Sequence, residues 1–207
     1  PPNSLGAVIG VEVGLVAGVT SLPGTEKVIQ QINPAASDAN KMIHAGIMAQ
    51  VSVPYGISAE GTMFPEKDFS GVSIKTMSGA LKWTITDSLL PLPMIDIAAR
   101  VHMSSSSLSF KSSAEVSSVP LNTEISFDSS SFGTNLSIGA NLFLVKPYIG
   151  FGYISTDNEF SVNSTSTIFN FTSSTSAKEK HSGSHIFAGV ELDLFVVHIG
   201  AEYSKIM

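Results

Sequence analysis

Residues 146–153, KPYIGFGY, join two runs of alternating residues with almost no room for a loop. On the N-terminal side, residues 135–144 (NLSIGANLFL) place leucine, isoleucine or alanine at every second position. On the C-terminal side, Ile149, Phe151 and Tyr153 alternate with glycine. A period of two over this length is typical of an extended strand whose two faces meet different surroundings. The stretch therefore predicts a β-hairpin with a tight turn.

The same period of two recurs along most of the chain. The other alternating segments are residues 5–20, 43–63, 72–87, 95–103, 186–194 and 197–203. Proline and glycine in VPYG (53–56) and SLLPLP (88–93) predict turns between them. The pattern indicates a single all-β domain over residues 1–207 with about nine antiparallel strands. Eight strands result if residues 42–64 form one long strand, and ten if a closing strand follows Met207.

The alternation changes phase at two places. Within residues 72–87, the apolar positions keep one face only if a residue is inserted near residues 75–77, which predicts a β-bulge. Leu108 and Phe110 have the opposite parity to the apolar positions of residues 95–103. A second slip is therefore predicted in the serine run that separates them.

Composition excludes several functional classes. The chain has a net charge of −6 and no large basic cluster, so it lacks the positive patch that nucleic acid needs. It has no cysteine, which excludes disulfide staples and thiolate metal or redox chemistry. Charged residues are only 14% and the mean hydropathy is +0.27, which is apolar for a water-exposed surface.

The apolar run of residues 7–19 is too short for a spanning helix, which needs about 20 residues. A membrane protein built from this sequence would therefore be a closed β-barrel, because only helices and barrels satisfy their own backbone in lipid.

The predicted connections differ in length in an ordered way. Those after residues 51, 88, 144 and 194 are short, and that after residue 64 is intermediate. Polar stretches predict long loops at residues 21–40, with one helical turn around 26–32, and at residues 155–181. Residues 104–131 predict two strand extensions joined by another long loop. Short turns at one end and long loops at the other are typical of transmembrane up-and-down barrels, with short periplasmic turns and long external loops.

The two faces of the predicted strands differ in chemistry. One face is almost uncharged, and on it Trp83, Phe151, Tyr153 and Tyr203 are candidates for a lipid-facing aromatic belt. The other face collects a polar set that is assigned to the barrel interior. That set consists of Glu12, His44, Glu60, Lys82, Asp96, Arg100, His102, Glu191, Asp193, His198 and Glu202. A soluble lipocalin-like barrel would invert this arrangement.

KPYIGFGY resembles the K-P-Y-x-G-x-G-Y signature of small Gram-negative outer-membrane barrels of the OmpA-like or opacity-like kind. It matches at Lys146, Pro147, Tyr148, Gly150, Gly152 and Tyr153. Residues 90–100, LPLPMIDIAAR, are similar to a strand start in uncharacterised proteobacterial outer-membrane barrels. The resemblance implies a bacterial outer-membrane location.

Three groupings could carry chemistry. Glu191, Asp193, His198 and Glu202 form either a carboxylate-rich metal or proton site or, as we favour, interior ion pairs with Arg100 and Lys82.

Asp96 and Arg100, four residues apart on one face, are expected to pair with each other. Ser184, His185 and Glu191 contain the residue types of a hydrolytic triad, but serines are so frequent that such sets arise by chance. No catalytic set, cofactor or metal site is predicted.

The sequence thus predicts an integral outer-membrane barrel whose lumen is plugged or very narrow. Its partners are outer-membrane lipid and other envelope proteins, and its role is structural or one of interaction within a larger envelope assembly. A small-solute pore of the same fold and a soluble ligand-binding barrel are the alternatives.

Overall fold

A computed structural model describes residues 9–21, 41–69, 72–89, 92, 94–116, 119–166, 171–194 and 197–207. Nine strands form one antiparallel sheet in which each strand pairs with its neighbours in the chain, curled into a half-barrel. The strands are β1 (Gly10–Ser21), β2 (Lys41–Val53), β3 (Ile57–Phe69), β4 (Val72–Thr84), β5 (Ile95–Val116), β6 (Val119–Ala140), β7 (Val145–Ser166), β8 (Phe171–Leu194) and β9 (Val197–Ile206).

The break between β2 and β3 shows whether residues 42–64 form one long strand, as in the eight-strand alternative, or two strands. Pro54–Gly56 form a short 3-10 turn in which Tyr55 and Gly56 both have positive φ, 72° and 73°. A side chain on Gly56 would also collide with the carbonyl oxygen of Thr84. VPYG is therefore a turn, and residues 42–64 are two strands.

The other short connections lie at the same end of the sheet as VPYG. Ile85–Asp87 form a second 3-10 turn between β4 and β5. Between β6 and β7, Phe143 takes a positive φ of 64°, and Leu142 and Val145 form an isolated bridge. These turns join strands in direct antiparallel register, as the alternation predicted.

Two of the predicted long loops are strands. β5 and β6 run 22 residues each and remain paired from Ile95 and Ala140 to Val116 and Val119. β7 and β8 remain paired up to Ser166 and Phe171. Serine and threonine can pair across strands by hydrogen bonds, so a polar composition did not imply a loop. The predicted loop at residues 21–40, with its helical turn, lies outside the described residues except for Ser21.

The irregularity predicted near residues 75–77 is found on the neighbouring strand. In β3, Pro65 and Glu66 together stand opposite Lys75, while β4 pairs with β5 without interruption. Proline has no N–H to donate to the ladder, so a bulge is the natural place for Pro65.

The slip predicted in the serine run is wrong. The pairing of β5 with both of its neighbours continues without a shift through residues 104–107. Leu108 therefore lies on the same face as His102, so the apolar positions change face although the strand does not.

The curl gives the sheet a concave and a convex face. In β1 to β8, near the short turns, side chains mostly alternate between lower exposure on the concave face and high exposure on the convex face, whereas β9 is exposed on both faces. Ser52, Ser58 and Thr84 on the concave face are at most 1% exposed, whereas Leu15 on the convex face is 87% exposed. Among the described residues, no helix has the length and apolar character needed to cross a membrane.

Candidate functional site

The concave face carries a charged cluster across β3, β4 and β5. Lys82 Nζ lies 3.2 Å from Glu60 Oε1, and Arg100 Nε donates to Glu60 Oε2 at 2.9 Å. The Lys82 side chain is only 3% exposed and that of Glu60 is 19% exposed. One carboxylate therefore pairs with two cations in a partly dry environment, where removing it would be costly.

A second cluster lies nearer to the short turns and joins the last strands to the first. Lys146 Nζ on β7 lies 2.7 Å from Asp193 Oδ2 and 3.9 Å from Glu191 Oε1, both on β8. His198 on β9 lies between Asp193 (Nε2 to Oδ1, 3.4 Å) and Glu12 on β1 (Nδ1 to Oε1, 3.3 Å). The side chains of the two edge strands thus meet, although β1 and β9 are not neighbours in the sheet.

These clusters include partners that were not expected. Arg100 and Lys82 bind Glu60, and Lys146 supplies a cation that the prediction missed. Lys146 has the same parity as Tyr148, which is 6% exposed on the concave face, and this parity could have revealed it.

Two further acids of the predicted set have neutral partners. Asp96 accepts a side-chain hydrogen bond from Thr86, and Arg100 binds Glu60 where pairing with Asp96 was expected. Glu202 accepts a hydrogen bond from the Tyr148 hydroxyl at 3.0 Å.

Three histidines on the concave face make ring contacts. His44 meets Phe64 edge-on with ring centroids 5.1 Å apart, and His185 stacks on Phe187 at 5.2 Å. His102 lies over Gly133 of the neighbouring strand. Their Nδ1 atoms are buried and have no hydrogen-bond partner within the described part of the chain. These rings therefore act mainly as packing groups.

The glycines of KPYIGFGY make room for bulky side chains on adjacent strands. The ring of Phe187 occupies the space that a side chain on Gly150 would need. On the next strand, Gly189 is covered in the same way by Tyr148, which is 6% exposed. Aromatic rings laid over glycine fill a wall that would otherwise be thin.

Ser184, His185 and Glu191 do not come together. Adjacent residues on a strand point to opposite faces, so Ser184 and His185 are separated by the sheet. His185 and Glu191 lie six positions apart on β8, which corresponds to roughly 20 Å. Among the described residues, no group of three or more histidines or acids is arranged to hold a metal ion.

The convex face is an apolar wall. Val13, Leu81, Leu136 and Ile149 are each more than half exposed on it. Lys75, Asp128, Asp157, Lys180 and Lys205 mark its polar boundary, on the side away from the short turns.

The four candidate belt aromatics all face outward from this wall but lie at different levels along it. Trp83 is next to the β4–β5 turn and donates to Ser88 Oγ at 3.0 Å. Phe151, Tyr153 and Tyr203 lie six or more residues beyond the start of their strands.

Comparison with protein families gives one match: residues 11–206 fit a family of unknown function, DUF6588. Comparison with curated proteins and with solved structures gives no match.

Proposed function

We propose that this chain, which belongs to the family of unknown function DUF6588, is an integral β-barrel wall of the bacterial outer membrane with a structural or interaction role. The observation that carries the proposal is the inverted arrangement of the faces. Large apolar side chains are exposed on the convex face, and ion pairs are gathered on the concave face.

The height of the apolar wall supports a position in a bilayer. On β5 the outward side chains from Ile95 to Met103 are apolar, and Ser105 follows them. Eight residue steps correspond to roughly 26 Å along the strand, or about 20 Å at a typical tilt. An outer-membrane barrel exposes an apolar band of about 25 Å, which is close to this height.

The packing of the concave face supports a plugged or very narrow lumen. Ser52 and Thr84 are 0% exposed and Ala98 is 1% exposed, although the sheet is curled only into a half-barrel. Polar side chains that fill a small barrel in this way leave little space for solute.

The same faces argue against a soluble lipocalin-like barrel. Such a barrel keeps its apolar side chains inside and its charges in water. Exposed Leu15, Ile149 and Phe151 on one continuous convex wall would instead form an apolar patch far larger than soluble monomers carry.

Trp83 provides the test, because it is the single tryptophan of the chain and lies on the convex face. The protein is refolded into vesicles whose lipids carry bromine at defined acyl positions, and Trp83 fluorescence is measured. We expect strong quenching, since bromine quenches only at contact. In the control, Trp83→Phe with Ser174→Trp places the fluorophore on the polar far part of β8 and should escape quenching.

Two results would overturn the proposal. One is an unquenched Trp83, and the other is a purified chain that stays monomeric in buffer without detergent. A separate recording in planar bilayers addresses the role: a steady open conductance would replace the structural role with that of a small-solute pore.

A further inference from the structure

The boundary of the apolar wall contains an open groove across β4 to β8. Its walls follow two neighbouring rows of convex residues that the strand register brings side by side. The lower row is Gly79, Met103, Phe132, Ser155 and Ser182, and the upper row is Met77, Ser105, Ser130, Asp157 and Lys180. The groove has a volume of about 610 Å³.

The floor of the groove is apolar. Met77, Met103 and Phe132 line it and are 49%, 64% and 55% exposed. Gly79 leaves the wall bare between Met77 and Leu81, and a side chain there would meet only the carbonyl oxygen of Glu60, at 3.8 Å. The floor is therefore a depression beside the exposed side chains of Met77 and Met103.

The rim of the groove is charged and of mixed sign. Lys180 Nζ lies 3.6 Å from Asp157 Oδ1, and in the next row Lys178 Nζ lies 3.2 Å from Glu159 Oε2. Asp128 accepts a hydrogen bond from Ser107 at 2.6 Å in that same row. Lys75 pairs with Ser107 and so belongs to that row as well. The rim therefore carries three carboxylates and three ammonium groups, with no net charge.

We propose that this groove binds one zwitterionic phospholipid with a primary ammonium headgroup. The acyl chain lies along Met77, Met103 and Phe132, and the headgroup meets the rim at Asp157 and Lys180. The inference rests on the proposed membrane location, because the floor is continuous with the lipid-facing wall.

Charge complementarity selects the headgroup. The carboxylates attract the ammonium group, and Lys180 attracts the phosphate, so a zwitterion satisfies both signs. An anionic lipid without an ammonium group would satisfy only the cations of the rim and would leave its carboxylates without a partner of opposite charge.

The test uses the full chain purified in a mild detergent, with native mass spectrometry as the measurement of retained lipid. Phosphatidylethanolamine and phosphatidylglycerol are supplied in equal amounts. We expect one phosphatidylethanolamine retained per chain, in preference to phosphatidylglycerol. Gly79→Leu fills the depression and should lower retention by about tenfold. Ala201→Leu adds comparable bulk to the same face on β9 and should leave retention unchanged.

A second variant tests the headgroup contact. Asp157→Asn removes one carboxylate from an exposed site, so folding is not at risk. We expect it to reduce the preference for phosphatidylethanolamine over phosphatidylglycerol severalfold while one lipid is still bound.

The proposal is overturned if Gly79→Leu and Ala201→Leu retain lipid equally, or if both lipids are retained without preference. Quenching of Trp83 by brominated lipid is measured on the same variants. If Trp83 is quenched but no lipid is retained, the lipid-binding proposal is wrong and the proposed membrane location is retained. If Trp83 is not quenched, the membrane location itself fails.

Discussion

The two halves of the long strands β5 to β8 share one backbone and differ in their surroundings. In the half next to the short turns, the convex face is apolar, as at Val101, Leu136 and Phe151, and the concave face holds Arg100 and Glu191. In the far half, the convex face is polar, with serine, threonine and exposed ion pairs such as Lys178 with Glu159, and the apolar residues Leu108, Phe127 and Phe160 lie on the concave face. The register of β5 with β6 runs through both halves without a shift.

The difference shows that a sheet can keep its hydrogen-bond ladder while the chemistry of its sides changes within two residues. Inter-strand backbone bonds do not depend on side-chain polarity. At the boundary, the convex side chains change from types suited to an apolar medium to types suited to water. The far half is held by cross-strand contacts such as Ser131 with Thr156, whose hydroxyl oxygens are 2.9 Å apart.

The largest expected difference between the halves concerns ion pairs. Glu60→Ala removes the carboxylate that pairs with Lys82 and Arg100, and breaking a partly buried pair should cost about 3 kcal/mol or more. The matched change Glu159→Ala in the far half removes an exposed pair and should cost less than about 1 kcal/mol. Urea titration in lipid vesicles, followed by Trp83 fluorescence, measures both. Equal losses of unfolding free energy in the two variants would contradict the proposed difference between the two halves.

A charge placed on the convex face should also separate the halves. Leu136→Arg puts a cation in the apolar wall, and in a bilayer this costs about 2–4 kcal/mol. Ser130→Arg, on the same face of the same strand, lies at the polar boundary and should cost about 0–1 kcal/mol. The free energy of unfolding in vesicles is the measurement, and a small cost for Leu136→Arg would contradict a lipid contact.

Within the apolar half, the two faces should respond differently to an added methyl group. Gly150→Ala would collide with the Phe187 ring and should destabilise by about 1–3 kcal/mol. Gly61→Ala, on the convex face, meets nothing within 4 Å and should be close to neutral. Combining Gly150→Ala with Phe187→Ala should cost less than the sum of the single changes. A fully additive pair would show that the ring is not the obstacle.

The smallest effect is expected in the far half. Ser126→Ala removes the contact with Ser161, whose hydroxyl oxygen is 3.1 Å away, and should cost about 0.5–1 kcal/mol. Amide hydrogen exchange would detect faster exchange near Ser126 with no change around Arg100. Ser105→Ala, at an exposed convex site, is the control and should have no measurable effect. Loss of protection throughout the sheet would mean that the halves unfold together.

Prediction from sequence succeeded where a single strand carries the information. The alternation located the antiparallel strands next to the short turns, and proline with glycine located the VPYG turn. It failed where the surroundings change along a strand. A register slip was predicted before Leu108 because the apolar residues were assumed to lie on the same face along the whole strand. The bulge was predicted in β4 because the alternation changes phase near Lys75. The extra residue is instead in β3, where Pro65 and Glu66 both lie opposite Lys75.

The sequence by itself determined the strands next to the short turns and the alternation of their side chains between two faces, because the period of two is a local property of the extended backbone. Only the tertiary structure decided which charges meet. Glu60 binds Arg100, 40 residues away, and Lys146 binds Asp193, 47 residues away. These pairs depend on the register of neighbouring strands and on the curl of the sheet. The curl alone brings Glu12 on the first strand to His198 on the last.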